Sequence, residues 1–132
     1  MNYNNRYPRK KLWKNKKFKN FFHFQKHDMK VFTVEELKQK IDKGEEINLV
    51  DVREPHEFEE VNIGGRLVPL GKVQTMQVEE LEDLKEKEVI VYCRSGRRSM
   101  LACQILDQMG FKDTYNLEGG VLAWINKYGM PK

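Results

Sequence analysis

At 132 residues the chain has room for one domain with its own core, and its two cysteines exclude a disulfide framework. That cysteine usage suits a reducing, cytoplasmic setting, and no run approaches the ~20 apolar residues of a membrane span. The formal charge of +4 averages two unlike pieces: residues 1–30 carry ten Lys or Arg and one acid, the remainder 14 bases and 19 acids.

The globular part is therefore acidic. The isoelectric point near 9.0 belongs to the tail, which removes the argument from charge to nucleic acid for the domain itself. The tail, residues 1–30, has no helical period and is expected to be disordered; half the chain's aromatics, seven of 14, sit among its lysines. Such a mixture suits single strands or an anionic membrane face. It lacks the 7–15-residue apolar core of a secretory signal and the amphipathic, Arg/Ser-rich look of a mitochondrial leader. Lys, Asn, Phe and Tyr, all with A/T-rich codons, make up 18 of its first 28 residues, so the simplest expectation is a start set too far upstream, with Met29 the true first residue. A disordered tail without a specific role and a genuine binding or targeting segment are the alternatives. The domain is expected over residues 31–132.

The domain opens on Val31 and Phe32 and a capping box, in which Thr33 accepts from the amide of Glu36 and Glu36 reaches back. Val34, Leu37 and Ile41 then share one helical face, and Gly44 ends the helix. The run 47–52, INLVDV, is near-continuously apolar, as in a strand buried on both faces. The stretch EPHEFEEV follows as a short helix with Pro55 in its first turn. RLVPL is a short strand stopped by Pro69, VEELEDLKEKE (78–88) a helix with a charged outer face, and VIVY (89–92) the next buried strand. A helix over 99–109 turns Ala102, Ile105, Leu106 and Met109 inward and closes at Gly110. TYNL (114–117) is a fifth strand and EGGVLAWINKY a final helix. Strands separated by helical segments predict a parallel sheet covered on both faces.

In such a sheet ligands bind beyond the carboxyl ends of the strands, and Cys93 stands there, directly after Tyr92. Gly96 lets the loop curl so that the amides of residues 94 to 99 face one small bowl, and the helix starting near Ser99 adds partial positive charge. Arg94, Arg97 and Arg98 add formal charge. All of these favour a thiolate, and surroundings of this kind typically lower a cysteine pKa from ~8.5 to ~3.5–7.5. Cys93 is therefore the expected nucleophile, with residues 94–99 holding a second anion. Cys103, ten residues further on, reads as inert packing. Metal binding finds no support: the cysteines lack ligand spacing, and His23 and His27 lie in the tail. His56 reads as a surface residue. No cofactor is called for.

The segments LVDVREPHEFE, NIGGRLVPLG, VIVYCRSGRRS and NLEGGVLAW, in this order across about 100 residues, resemble a single-domain rhodanese. The resemblance implies a three-layer α/β/α fold around a five-stranded parallel sheet. It implies a sulfurtransferase in which Cys93 takes the outer sulfur of thiosulfate or another donor as a persulfide and yields it to a thiophilic acceptor. Its partners would be a small sulfur donor, thiosulfate or a persulfide, and a thiol or protein-thiol acceptor, with no nucleic acid on the domain. Arg94, Ser95, Gly96, Arg97 and Arg98 match the loop that holds the persulfide and the donor's anionic end, and Ser99 follows it. Asp51 and Arg53 match an element beside the site, with Arg53 expected to pair with acids and brace that corner. One departure is Asn62, where many relatives have histidine in a GHI element.

Four other functions compete. The related cell-cycle phosphatases need C-x5-R, whereas here arginine comes one place early, at Arg98, and Ser99 fills the seventh position; a six-residue loop has the size associated with sulfur. Arsenate reduction is set aside with them. A sulfur relay between proteins, with little turnover of thiosulfate, is the strongest rival, since an acidic domain around a basic loop suits docking to a basic partner. A non-catalytic binding module fits less well, because the cysteine is present.

Overall fold

The computed structural model describes residues 29–131, and the expectations placed on residues 1–28, including His23 and His27, lie outside the described residues. Five strands form the sheet: β1 Val31–Phe32, β2 Leu49–Asp51, β3 Arg66–Leu67, β4 Glu88–Tyr92 and β5 Asp113–Leu117. Their spatial order is β1-β5-β4-β2-β3 and every pairing is parallel. The register sets Val50 beside Val91 and Asp51 beside Tyr92, so the carboxyl ends of β2 and β4 finish side by side.

The helices are α1 Val34–Asp42, α2 Pro55–Glu60, α3 Leu70–Gln74, α4 Arg97–Gln108 and α5 Gly120–Tyr128, with a 3-10 turn at Glu79–Leu84. Two cores follow from the pleat, because successive side chains of a strand leave on opposite faces. Val89 and Val91 of β4 point to one side, where they meet Val73, Leu81, Leu84, Ala102, Cys103 and Leu106 under α3, the 3-10 turn and α4. Ile90 and Tyr92 point to the other, against Val34 and Leu37 of α1 and Val121 of α5. The result is the expected three-layer α/β/α architecture with a five-stranded parallel sheet.

Several elements differ from the sequence expectation. The helix expected over 78–88 is the six-residue 3-10 turn, and Glu88 already belongs to β4. Val78, Leu81 and Leu84 repeat every third residue and all are buried, which is the period of a 3-10 helix rather than of an α-helix. Ile41, expected on the inner face of α1, is 42% exposed; it lies in the last turn, one turn beyond Leu37. The Thr33 hydroxyl does accept from the Glu36 amide at 3.1 Å, but among the described residues no bond returns from the Glu36 side chain. A true capping box forms at α2 instead, between Glu54 and Glu57. Helix α3 is an addition, begun by the Pro69 that ends β3. Met29 packs against the core, and the Lys30 ammonium lies 2.5 Å from Asp113.

Among the described residues no helix is long and apolar enough to cross a membrane.

Candidate active site

The loop after β4 is built around one sulfur. Cys93 is buried, with 1% of its surface exposed, and its Sγ accepts from the Gly96 amide at 3.1 Å, the Ser99 amide at 3.4 Å and the Ser99 hydroxyl at 3.3 Å. Burial on its own pushes the thiol pKa up. The Ser99 hydroxyl and the amides of Ser99, Gly96 and Ser95 outweigh it, so the thiol lies below its ordinary value. The downward shift comes from hydrogen bonds that favour the charged form.

Local sequence explains the curl. Gly96 is the N-cap of α4 with φ 102° and ψ −5°, a conformation that costs a residue with a Cβ ~1–2 kcal/mol. It turns the first amides of α4 back over the sulfur. Asn116 of β5 fastens the turn: its Nδ2 donates to the Gly96 carbonyl at 3.1 Å, and its Oδ1 accepts from the Ser99 hydroxyl. Helix α5 holds the other side, where the amides of Val121 and Leu122 donate to the carbonyls of Cys93 and Arg94, each at 3.0 Å. A Cβ on Gly120 would stand 2.3 Å from the Cys93 carbonyl oxygen, so glycine is what lets α5 dock this closely.

The three arginines behave differently from one another. Arg94 and Arg97 are exposed. Arg98 is half-buried and forms a two-pronged ion pair with Glu57 of α2, Nη1 to Oε1 at 2.7 Å and Nη2 to Oε2 at 2.9 Å. This pair holds the Glu57 carboxyl well below its usual range, at about 2. Of the three contributions expected to favour the thiolate (loop amides, helix start and arginine charge), the sulfur's hydrogen-bond donors are amides and a hydroxyl, and one arginine is already paired with a carboxylate.

Asp51 and Arg53 form a buried brace behind the loop. The Arg53 Nη2 donates to Asp51 Oδ2 at 2.7 Å and to the Val61 carbonyl at 2.7 Å, while its backbone amide donates to Asp51 Oδ1 at 2.9 Å. The guanidinium lies over the Tyr92 ring, 5.7 Å from its centroid, and the Tyr92 hydroxyl donates to the Gly64 carbonyl at 2.8 Å. Asn62 accepts from the Gly64 amide and donates to the Phe58 carbonyl, both at 2.9 Å, so it fastens its own turn. Cys103 is buried among α4 core residues, and burial pushes its thiol up to about 12.

The structure therefore gathers Cys93, Ser95, Gly96 and Ser99 at the sulfur, sets Arg98 beside them, and places Asp51 and Arg53 against Tyr92 at the end of the neighbouring strand. Sequence reasoning missed Asn116, Glu57 and Tyr92. An Asn in the middle of a β-rich run was a usable sign, since strands are depleted in it. Nothing local marked Glu57 among the four acids of residues 54–60.

Comparison with known proteins agrees with this geometry. The family model described as the rhodanese-like domain matches residues 33–127. The Bacillus subtilis protein YtwF, which carries a provisional sulfurtransferase name, is 42% identical over 99 residues, 74% of this chain and 91% of its own. A protein of Allochromatium vinosum named sulfurtransferase is 36% identical over 97 residues, covering 74% of this chain and 88% of that one. Among solved structures, a rhodanese-like domain protein from Staphylococcus aureus superposes with a TM-score of 0.65 at 30% identity, over 73% of this chain and 91% of that chain. A parallel α/β/α sheet with a single activated cysteine at the carboxyl end of β4, a family model spanning nearly the whole domain and relatives matched over most of their length agree: this chain belongs to the rhodanese-like domain family.

Proposed function

We propose that the protein is a sulfurtransferase that carries sulfur on Cys93 as a persulfide. The observation that carries the reading is a buried cysteine sulfur with three hydrogen-bond donors within 3.4 Å, standing where a parallel sheet presents its ligands. The names of the relatives point the same way.

The Cys93 thiolate attacks the outer sulfur of thiosulfate, a new S–S bond forms at Sγ, and the donor's S–S bond breaks with its electron pair leaving on sulfite. The charge of three is conserved across the step. An acceptor thiolate then attacks the outer sulfur of the Cys93 persulfide, takes it, and restores the Cys93 thiolate, so the cycle needs no outside oxidant or reductant. The loop amides and the Ser99 hydroxyl stabilise negative charge on sulfur at each stage, being fixed before reaction begins. Asp51 and Arg53 brace the end of β2 beside Tyr92, one residue before Cys93, without touching the reacting atoms.

The relay between proteins is the second reading. Arg94 and Arg97 stand exposed on a domain whose residues after 30 hold 19 acids and 14 bases, a surface of mixed pattern suited to a protein donor. One experiment separates the two. Incubation with thiosulfate should add one sulfur, about 32 Da, to the intact mass, as a reversible persulfide cap on cysteine does. Cys93→Ser should abolish the gain and Cys103→Ser should keep it. Loading from a cysteine desulfurase with cysteine, and not from thiosulfate, selects the relay. Loading from neither overturns the proposal.

A further inference from the structure

The Arg98–Glu57 pair takes up the half-buried cation beside the sulfur. Arg98 is the second residue of α4, whose first turn donates to Cys93, and its guanidinium is the half-buried cation of the loop. Both of its prongs are engaged by both oxygens of one carboxylate, at 2.7 and 2.9 Å. Fork-to-fork pairs of this kind are strong and fixed in geometry, and this one holds the guanidinium on Glu57 and offsets its charge. Glu57 is itself fixed, because the Glu54 amide donates to its Oε1 at 3.1 Å within the α2 capping box. Its carboxyl stays ionised through the physiological range, so pH does not release Arg98. The cations left for a donor are Arg94 and Arg97, both exposed and therefore screened by water and salt.

We propose that Glu57 sets the donor preference of the site: by holding Arg98 it disfavours the doubly charged thiosulfate and favours a thiol persulfide. The inference rests on the sulfur-transfer reading and deepens it. The favoured step is balanced in the same way as before. The Cys93 thiolate attacks the outer sulfur of R–S–SH, the donor's S–S bond breaks, RS⁻ leaves with the electron pair, and the proton stays on the new Cys93 persulfide. Glu57 touches none of the reacting atoms; it acts through Arg98 as a specificity-determining residue.

The test is single-turnover sulfur loading followed by intact mass, as a function of donor concentration, with thiosulfate and with the persulfide of 2-mercaptoethanol. Glu57→Gln keeps an acceptor for the Glu54 amide while freeing Arg98. It should lower the half-saturating thiosulfate concentration about tenfold relative to that of the persulfide, the lower end of what a charge-assisted contact contributes. Adding Arg98→Gln to that variant should remove the gain, and Glu57→Asp should lie near wild type. An unchanged preference in Glu57→Gln, or an equal shift for both donors, overturns the inference and leaves the sulfur-transfer reading standing. Wild-type protein that loads from neither donor overturns both.

Discussion

Replacing Ser99 by Ala tests whether hydrogen bonds hold the Cys93 thiolate. The Ser99 hydroxyl has a single proton and two acceptors, Cys93 Sγ at 3.3 Å and Asn116 Oδ1. A hydrogen bond to a charged group contributes ~1.5–3 kcal/mol, and a proton shared with Asn116 belongs at the lower end, about 1.5 kcal/mol. At a pH on the acid side of the titration, that is about a tenfold smaller thiolate fraction. The amides of Gly96 and Ser99 remain at 3.1 and 3.4 Å, so the thiol of the variant still carries two of its donors. The assay is the rate of iodoacetamide alkylation across pH. Cys103 stays silent in it, buried and with its pKa pushed up to about 12. The sign is fixed by the direction of the shift: stabilising the anion lowers the thiol pKa, so wild type keeps reacting at lower pH and the variant's profile moves to higher pH. On the alkaline plateau, where both thiols are ionised, the two rates should converge. A variant profile that superimposes on wild type would show that the amides alone suffice. One displaced to lower pH would refute the reasoning altogether.

Two further outcomes concern the frame of the site. Arg53→Ala leaves the carboxylate of Asp51, which is fully buried, without its partner, and should cost ~3–5 kcal/mol in chemical denaturation; Arg53→Lys should recover only part of this, since an ammonium cannot reproduce the fork. Gly44→Ala and Gly120→Ala share a positive φ, +70° and +58°, but the first meets nothing within 4 Å and should cost only the ~1–2 kcal/mol of a left-handed residue, whereas the second drives into the Cys93 and Arg94 carbonyls. Denaturation should rank Gly120→Ala well below Gly44→Ala, and iodoacetamide should find Cys93 altered only in the former; equal losses would contradict the close docking of α5.

Much of this molecule could be read from residue order. The apolar runs around Val50 and Val89–Tyr92 carried no strand-period alternation, which correctly placed them in a sheet covered on both faces. The CRSGRRS loop announced its curl around Cys93 through a glycine and a helix start. Periodicity failed where two periods lie close: Val78, Leu81 and Leu84 fit a helix of either kind, and only packing against the sheet selected the tighter turn. Ile41 failed because a helical stripe says which side faces inward but not how far the neighbouring layer extends. Glu57 and Asn116 lie 36 residues before and 23 after Cys93, and their partners are chosen by chain crossovers that no local pattern encodes. The charges of Arg94, Arg97 and Arg98 were legible, but their use was not, because it depends on which of them meets an acid.

The orientation of the amides around Cys93 follows from where the loop's carbonyls are held. A planar trans peptide points its C=O and the following N–H in opposite directions. Leu122 draws the Arg94 carbonyl outward at 3.0 Å, which turns the Ser95 amide toward the sulfur, and that amide is one of the groups that lower the Cys93 pKa. Val121 holds the Cys93 carbonyl at 3.0 Å, and Asn116 and the Met100 amide hold that of Gly96 at 3.1 and 3.2 Å. By the same planarity the amides of Arg94 and Arg97 are directed away from those anchors, and neither donates a backbone hydrogen bond among the described residues. On the proposed sulfur-transfer reading, these amides and that of Arg98, which likewise donates no backbone hydrogen bond among the described residues, are the donors expected to meet an outer sulfur or the anionic end of a donor. The bowl is thus made from outside: β5 and α5 pull three carbonyls away, and the charge that a sulfur needs arrives as amides rather than as the arginine side chains beside them.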